Sequence, residues 1–295
     1  MNFSTIEKKI NELVNVFQKN NKKNSQIFFK FFFTTYYRVI KNYFFSIFKN
    51  FKRSQQFTKN RYDRIWSDDK IQEMYNSENY TSQQIFTYKK KSFLAPESMQ
   101  SRVFQTIHAE TVTQLDPQSI LEVGCGQGFH LKLLSSLFPQ KKFYGIDQSV
   151  SGINFANQKI KNLKLTKDIT YPLGYNYLDN NGDNLSYEVQ DAKKLKFDNN
   201  SIDFIYTNLA LEQMDNIKFE VLSEIKRVSK KYVLLIEPFK NLNNTGAKFF
   251  HHRSKKYFSL NYNELEDANF KILNIIDKIP HKISLGAGAL LLEKK

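Results

Sequence analysis

The stretch LEVGCGQGFH, Leu121–His130, places three glycines at alternate positions between an apolar run and a helical pattern. Glycine at such a turn lets the backbone approach a ligand closely. The dinucleotide fingerprint G-x-G-x-x-G would need glycine where Phe129 stands, and a P-loop would need Gly-Lys-Ser or Gly-Lys-Thr at its end. The spacing therefore excludes both of these phosphate-binding motifs.

Strand and helix patterns alternate around this turn. Apolar runs predict strands at 119–123, 141–147, 185–192, 201–211 and 232–238, and helical periodicity predicts helices over 127–138, 150–163 and 216–229. Two final strands, FKILNIID and GALLLEK, are joined too closely for a parallel crossover and should pair antiparallel. The alternation predicts an α/β fold: a Rossmann-like, doubly wound, mostly parallel seven-stranded sheet with an antiparallel last strand and a helical N-terminal extension.

At these residues the sequence resembles the class I S-adenosylmethionine-dependent methyltransferases, particularly the broad group that includes the ubiquinone-biosynthesis enzymes. LEVGCGQG is similar to their first motif, and FDNNSIDFIYTNLALEQM is similar to their fourth strand with its flanking turns. The resemblance covers about residues 119–295 and implies S-adenosylmethionine as cofactor. No NPPY or DPPY quartet appears, which disfavours amino methylation of nucleobases or glutamine.

Three acidic residues stand at strand ends, where a cofactor with a cationic sulfonium, a ribose diol and an adenine can use acceptors. The resemblance implies Glu122 near the methionine end, Asp147 on the ribose hydroxyls and Asp191 at the adenine. The alternatives are an exposed strand-end carboxylate, a helix cap and a surface turn residue, respectively. The full set of predicted cofactor-binding residues is Glu122, Gly124, Cys125, Gly126, Gly128, Asp147, Gln148, Asp191, Ala192 and Asn208.

The acceptor side is less defined by the sequence. Glu212, His251 and His252 are the predicted catalytic residues, Glu212 because it follows the fourth strand and the histidines because they follow the fifth. A base is needed only for a hydroxyl or protonated amine acceptor, and ordinary exposed histidines are the alternative. No metal site is predicted, because adjacent histidines seldom converge on one ion and no further ligands follow at suitable spacing.

Positive charge is concentrated at the start of the chain. Residues 1–60 hold 12 of the 44 Lys and Arg but only 2 of the 29 Asp and Glu, so most of the net charge of +15 lies there. Residues 27–53 have the pattern of an amphipathic helix with a basic stripe and a Phe-, Tyr- and Ile-rich face. Charges interrupt it too often for a membrane span. A membrane surface, packing on the protein or a second copy, and RNA or another partner stay open as its role.

The predicted domains are a basic aromatic amphipathic N-terminal arm over 1–60, a helical lid region over 61–117 and a methyltransferase core over 118–295. The single cysteine, Cys125, and the lack of a secretory h-region favour a cytoplasmic protein, with a peripheral membrane position open. The leading hypothesis is methyl transfer to a small-molecule or lipid-like acceptor. The alternatives are an RNA or protein methyltransferase that uses the basic arm, and a non-catalytic S-adenosylmethionine-binding scaffold. Nucleic acid is not the favoured partner, since the remainder of the chain is near neutral.

Overall fold

A central sheet of seven strands organises the molecule. The computed structural model describes residues 3–20, 25–48, 54–67, 83–165, 175–178, 182–255 and 258–295. The seven strands, in chain order, are β3 (Ser119–Val123), β4 (Lys142–Asp147), β5 (Leu185–Val189), β6 (Ile202–Asn208), β7 (Ser229–Glu237), β8 (Phe270–Ile276) and β10 (Gly288–Lys294). Their spatial order is β5-β4-β3-β6-β7-β10-β8. The predicted fold class is confirmed.

Strand direction follows the predicted pattern. β5, β4, β3, β6 and β7 are parallel, whereas β10 runs antiparallel to both β7 and β8. The chain leaves β3 toward β4 and β5, then returns to the other side of β3 for β6 and β7. A doubly wound sheet has its crevice at this reversal, beyond the carboxyl ends of β3 and β6. The residues at these two strand ends therefore decide the chemistry of the crevice.

Helices cover both faces of the sheet. They are α1 (Phe3–Asn20), α2 (Ser25–Ile47), α3 (Gln55–Trp66), α4 (Ser98–Leu115), α5 (Phe129–Leu137), α6 (Val150–Phe155), α7 (Lys218–Val228), α8 (Gly246–Lys255) and α9 (Tyr262–Asp267). One core cluster, with Ile107, Phe143 and Tyr206, lies on the face of α4 and α5. The second, with Leu121 and Ile225, lies on the face of α7.

The first sixty residues are not a separate arm. Ile6 and Ile10 on α1 are fully buried in the core cluster on the α4 side, and Lys9 donates to Glu110 of α4 at 2.5 Å. α2 packs on α8, where Tyr43 and Phe250 make an edge contact of 5.1 Å. The predicted boundary after residue 60 falls inside α3. Of the predicted helix over 27–53, residues 49–53 lie outside the described residues.

The segment 61–117 is not wholly helical, which corrects the prediction. Strands β1 (Gln83–Tyr88) and β2 (Lys91–Pro96) form an antiparallel hairpin, and β9 (His281–Lys282) adds to β1. Lys89 and Lys90 form its two-residue turn with φ of 48° and 64°. Such turns normally contain Asn-Gly or Asp-Gly, so two lysines carry no turn signal in the sequence. Residues 68–82 of the predicted helical region lie outside the described residues.

No helix among the described residues combines the length and the apolar character that a membrane crossing requires.

Candidate functional site

A cavity of about 380 Å³ lies at the carboxyl edge of β3, β4 and β6. Its walls come from the glycine turn after β3, the residues after β4, the loop after β6, one face of α3 and the first turns of α4. A separate lobe of about 20 Å³ lies against Asp191 and Ala192, and Thr58, Gly124 and Asp147 line both spaces. The predicted cofactor residues of three different strands thus converge on one crevice.

The glycine turn is held by β4. The backbone N–H groups of Gly124 and Cys125 donate to the Ile146 carbonyl at 2.8 and 3.0 Å. Gly124, Gly126 and Gly128 have φ of 81°, 55° and 75°, a left-handed region that disfavours other residues. Alternating glycines are therefore required by the backbone itself.

Two of these glycines also make room for neighbouring protein groups. A Cβ on Gly124 would lie 2.4 Å from Ala210 Cβ, and a Cβ on Gly128 would lie 2.2 Å from the Tyr187 ring. The Tyr187 hydroxyl donates to the Gly128 carbonyl at 2.7 Å. The sequence interpretation assigned these glycines to ligand approach alone, whereas the structure adds close packing. The Cys125 thiol between them is buried, and burial raises its pKa well above the usual value, so it is a small neutral residue.

Glu122 lies at the end of β3 on the cavity wall, 2% exposed. The hydroxyl of Tyr206 on β6 donates to its Oε2 at 3.0 Å. Burial raises the pKa of Glu122 to about 8; the Tyr206 hydrogen bond opposes this effect and the charge of Asp147 adds to it. Glu122 is therefore a buried acid, not the exposed strand-end carboxylate of the alternative interpretation.

Asp147 ends β4, and both of its oxygens are oriented by backbone donors. Gly126 N–H donates to Oδ2 at 2.9 Å, and Ser149 N–H donates to Oδ1 at 2.8 Å. Burial raises the pKa of this carboxyl, while the hydrogen bonds from Ser149 and Gly126 lower it. The cap of α6 is formed instead by the Ser149 hydroxyl, which accepts from Gly152 N–H at 3.1 Å. Asp147 therefore does not cap α6, and both Asp147 and Gln148 line the cavity.

Asp191 and Ala192 line the small lobe together with Ile146 and Gln190. Asp191 is exposed, and its Oδ1 accepts from Lys193 N–H at 2.9 Å, as in a surface turn. Asp191 thus stabilises a turn, as the alternative interpretation expects, and it also borders the lobe; its contact with the adenine stays a prediction. Ala192 is buried, so any larger side chain at this position would fill the lobe.

The loop after β6 carries Asn208 and Glu212 to the cavity wall. It is held by Glu237 at the end of β7, whose fully buried carboxylate accepts from the backbone N–H groups of Ala210, Leu211 and Glu212 at 3.0 to 3.1 Å. Burial raises the pKa of Glu237 to about 8, the nearby Glu212 adds to this, and the backbone donors oppose it. Glu237 is a structural residue of the loop, and the sequence did not indicate this role.

The structure does not bring His251 and His252 to the cavity. Both lie on α8, which packs against α2, and neither is among the residues that line the cavity in the described part of the chain. His252 is 9% exposed, and burial lowers its pKa. Their position after β7 suggested the site, but they lie on the helix that packs against α2, and the described cavity lining includes Glu212 without them.

His130, Glu97 and Lys282 are cavity residues that the sequence analysis did not select. Burial lowers the pKa of His130 to about 4, and Arg102 adds to the effect, so its ring is neutral at pH 7. Lys282 of β9 forms an ion pair with Glu97, which precedes α4. Of these three residues, only His130 lies in the motif Leu121–His130. Glu97 and Lys282 are distant in sequence, and the sheet formed by β2, β1 and β9 brings them together.

No group of three or more His, Cys, Asp or Glu suited to a metal ion occurs among the residues that the structure describes.

Known proteins are similar to this chain in sequence and in structure. Residues 121–236 match the family described as "Methyltransferase domain". The [4+2]-cyclase SpnF is similar in structure, with 15% identity, a TM-score of 0.55, and coverage of 82% of this chain and 96% of that chain. A putative sarcosine dimethylglycine methyltransferase from Galdieria sulphuraria has 15% identity, a TM-score of 0.52, and coverage of 78% and 98%. No curated protein matches the sequence.

Proposed function

We propose that this chain, a class I S-adenosylmethionine-dependent methyltransferase, methylates a small-molecule or lipid-like acceptor bound beyond Asn208 and Glu212. The observation that carries the proposal is the walled cavity of about 380 Å³ that extends from the glycine turn to Glu97 and Lys282. Its volume is within the usual ~300–1,000 Å³ of small-molecule sites. Helices α3 and α4 both contribute to its walls, which suits a small acceptor better than a polymer.

The residues of the cavity fit the cofactor. Asp147 would present an oriented carboxylate to the ribose hydroxyls, Glu122 would lie toward the methionine end, and Asp191 with Ala192 would border the adenine in the small lobe. Three buried polar atoms on the wall have no hydrogen-bond partner among the residues that the structure describes: Asn208 Oδ1, Gln127 Nε2 and His130 Nδ1. Buried groups of this kind are costly unless a ligand or water satisfies them. We assign the cofactor to this crevice on that basis.

The cofactor supplies a methyl group on a positively charged sulfur, which is already a strong electrophile. The chain must therefore mainly align the acceptor with the methyl carbon, and proximity alone can contribute ~7–11 kcal/mol. Asn208 and the loop that Glu237 holds would set the position of the methyl group. If the acceptor is a hydroxyl or an ammonium group, its proton needs a base. Glu212 is on the wall to receive it, whereas His251 and His252 are not. His130 is also on the wall, but its pKa of about 4 makes it a weak base.

The charge of the lining disfavours a polyanionic acceptor. Glu97, Asp147 and Glu212 line the cavity beside the largely protonated Glu122, and Lys282, the one lysine among the described lining residues, is already paired with Glu97. An RNA site would instead carry a surplus of lysine and arginine. The structurally similar Galdieria protein is named for sarcosine and dimethylglycine, which agrees with a compact site.

A lipid-like acceptor is supported by the exposed face of α2. Phe33, Tyr37 and Phe44 are 66%, 67% and 58% exposed and lie on one side of the helix, opposite Val39, which is buried toward α8. Lys30, Arg38 and Lys41 flank this aromatic strip, and α2 has no acidic residue. Exposed aromatics beside basic residues suit the surface of an anionic bilayer. We propose that α2 holds the enzyme at such a surface.

The test supplies S-adenosylmethionine with a radiolabelled methyl group to the full chain with four separate fractions: polar metabolites, extracted lipids, total RNA and added protein. Label in a metabolite or lipid product supports the proposal, and the Asp147→Ala variant should abolish it. Label only in RNA or in added protein would overturn it. Cofactor binding measured alongside by titration calorimetry separates a missing acceptor from a missing cofactor site.

A further inference from the structure

Helix α3 forms part of the crevice, although it belongs to the segment before the methyltransferase domain. Thr58, Tyr62 and Trp66 line the main cavity, and Gln55 and Thr58 line the small lobe. Their spacing of three and four residues places them on one face of the helix. Thr58 is 3% exposed, so this face is closed against the site.

Trp66 lies directly on the glycine turn. A Cβ on Gly126 would be 3.3 Å from its ring, and a Cβ on Gly152 would be 3.2 Å from it. Tyr62 stands one turn earlier, with its ring centroid 6.0 Å from that of Trp66. These aromatic side chains therefore cover the part of the turn whose backbone faces the ligand.

A compact set of hydrogen bonds holds α3 to the start of α6. The Ser149 hydroxyl donates to Asp63 Oδ1 at 2.7 Å, and the Ser151 hydroxyl donates to the Asp63 carbonyl at 2.8 Å. Ser149 N–H donates in turn to Asp147. Ser149, which holds α3 through Asp63, is thus two residues from Asp147, the residue assigned to the ribose.

In this structure the small lobe is too small to hold an adenine ring. Its volume of about 20 Å³ is close to the space of a single water, for which ~10–15 Å³ suffices. An adenine ring is many times larger, and Gln55 and Thr58 of α3 form one wall of this lobe. Entry of the adenine therefore requires a wall to move, and α3 is the better candidate, because Ile146 and Asp147 belong to β4 and Gln213 and Met214 follow the loop that Glu237 holds.

We propose that α3 is a lid of the cofactor site, fastened by Asp63 to Ser149 and Ser151, which lifts to admit S-adenosylmethionine and then closes with Trp66 over the bound cofactor. The inference rests on the proposed placement of the cofactor in this crevice. Release of the product cofactor would need the same opening, so the fastening would influence both entry and exit.

Trp66 is the only tryptophan of the chain, so its fluorescence reports on the lid directly. Stopped-flow mixing of the full chain with S-adenosylmethionine should show a fluorescence change in two phases, the slower one independent of cofactor concentration. Asp63→Ala and, separately, Ser151→Ala should accelerate both association and dissociation about 3- to 10-fold, as expected for loss of one or two hydrogen bonds. Asp63→Asn keeps an acceptor oxygen and should change the rates less.

Asp198→Ala is the matched control, because Asp198 is exposed and is not among the residues that line the crevice. Circular dichroism checks that each variant is folded. Unchanged rates in both Asp63→Ala and Ser151→Ala, or no response of Trp66 to saturating cofactor, would overturn the lid while leaving the cofactor site in place. Absence of cofactor binding by calorimetry in the wild-type chain would instead overturn the placement of the cofactor.

Discussion

Tyr206 donates a hydrogen bond of 3.0 Å to Glu122 from the neighbouring strand, where the two residues are paired in register. Both side chains are buried. Burial raises the pKa of Glu122 to about 8 in the ligand-free protein, more than the Tyr206 hydrogen bond lowers it. The carboxyl is thus largely protonated at pH 7 and becomes a carboxylate as the pH rises through about 8.

Cofactor binding should therefore be linked to the proton of Glu122. The cofactor carries a sulfonium and an ammonium group, so it favours the carboxylate form, lowers the pKa of Glu122 and releases a proton. We expect affinity to increase between pH 6.5 and 9 and then level off. Calorimetry in two buffers of different ionisation enthalpy measures the released proton. Glu122→Gln should remove both effects, and equal heats in the two buffers for the wild type would contradict the linkage.

Asp147 and Asp191 should differ strongly in their contribution to cofactor affinity. Asp147 is enclosed and oriented by Gly126 and Ser149, whereas Asp191 is exposed. Two charge-assisted hydrogen bonds to the ribose, each ~1.5–3 kcal/mol, predict at least about 100-fold weaker binding in Asp147→Ala. Asp191→Ala should cost about 3- to 10-fold, because water competes there. Equal losses in the two variants, measured by titration calorimetry, would refute the assigned roles.

Gly128→Ala should destabilise the fold more than Gly126→Ala. Both residues have positive φ, but a Cβ on Gly128 would overlap the Tyr187 ring, whereas one on Gly126 would meet Trp66 at 3.3 Å. We expect losses in the free energy of unfolding of ~2–4 kcal/mol and ~1–2 kcal/mol. Urea denaturation measures both. Adding Tyr187→Leu to Gly128→Ala should recover part of the loss, and the packing explanation fails if it recovers none.

Reversal of the basic residues of α2 should weaken binding to anionic vesicles. Each basic residue near such a surface contributes ~1 kcal/mol, so Lys30→Glu, Arg38→Glu and Lys41→Glu together should reduce binding on the order of 100-fold or more. The control variant changes three exposed lysines outside α2 to Glu: Lys159, Lys164 and Lys194. Co-sedimentation with phosphatidylglycerol vesicles measures both. Equal binding of the two triple variants would exclude the α2 surface.

The sheet was predictable because its signals are local. β3 matches the predicted 119–123, and β4, β5, β6 and β7 lie within a few residues of the predicted strands. The hairpin β1–β2 was not predictable, because Lys89 and Lys90 adopt positive φ without a residue type that favours it. Pairing with β9, about 190 residues later in the chain, stabilises this hairpin, and such long-range pairing leaves no local pattern.

The sequence by itself determined the alternation of the fold, the left-handed glycine turn and the acidic strand ends at Glu122 and Asp147, since each follows from periodicity or backbone geometry. Only the tertiary structure decided what surrounds them. It buried Glu237 beneath the loop after β6, directed His251 and His252 to α8, and brought His130, Lys282 and Trp66 to the cavity. These placements depend on how helices pack on the sheet, because side chains distant in sequence meet only when the two faces are covered.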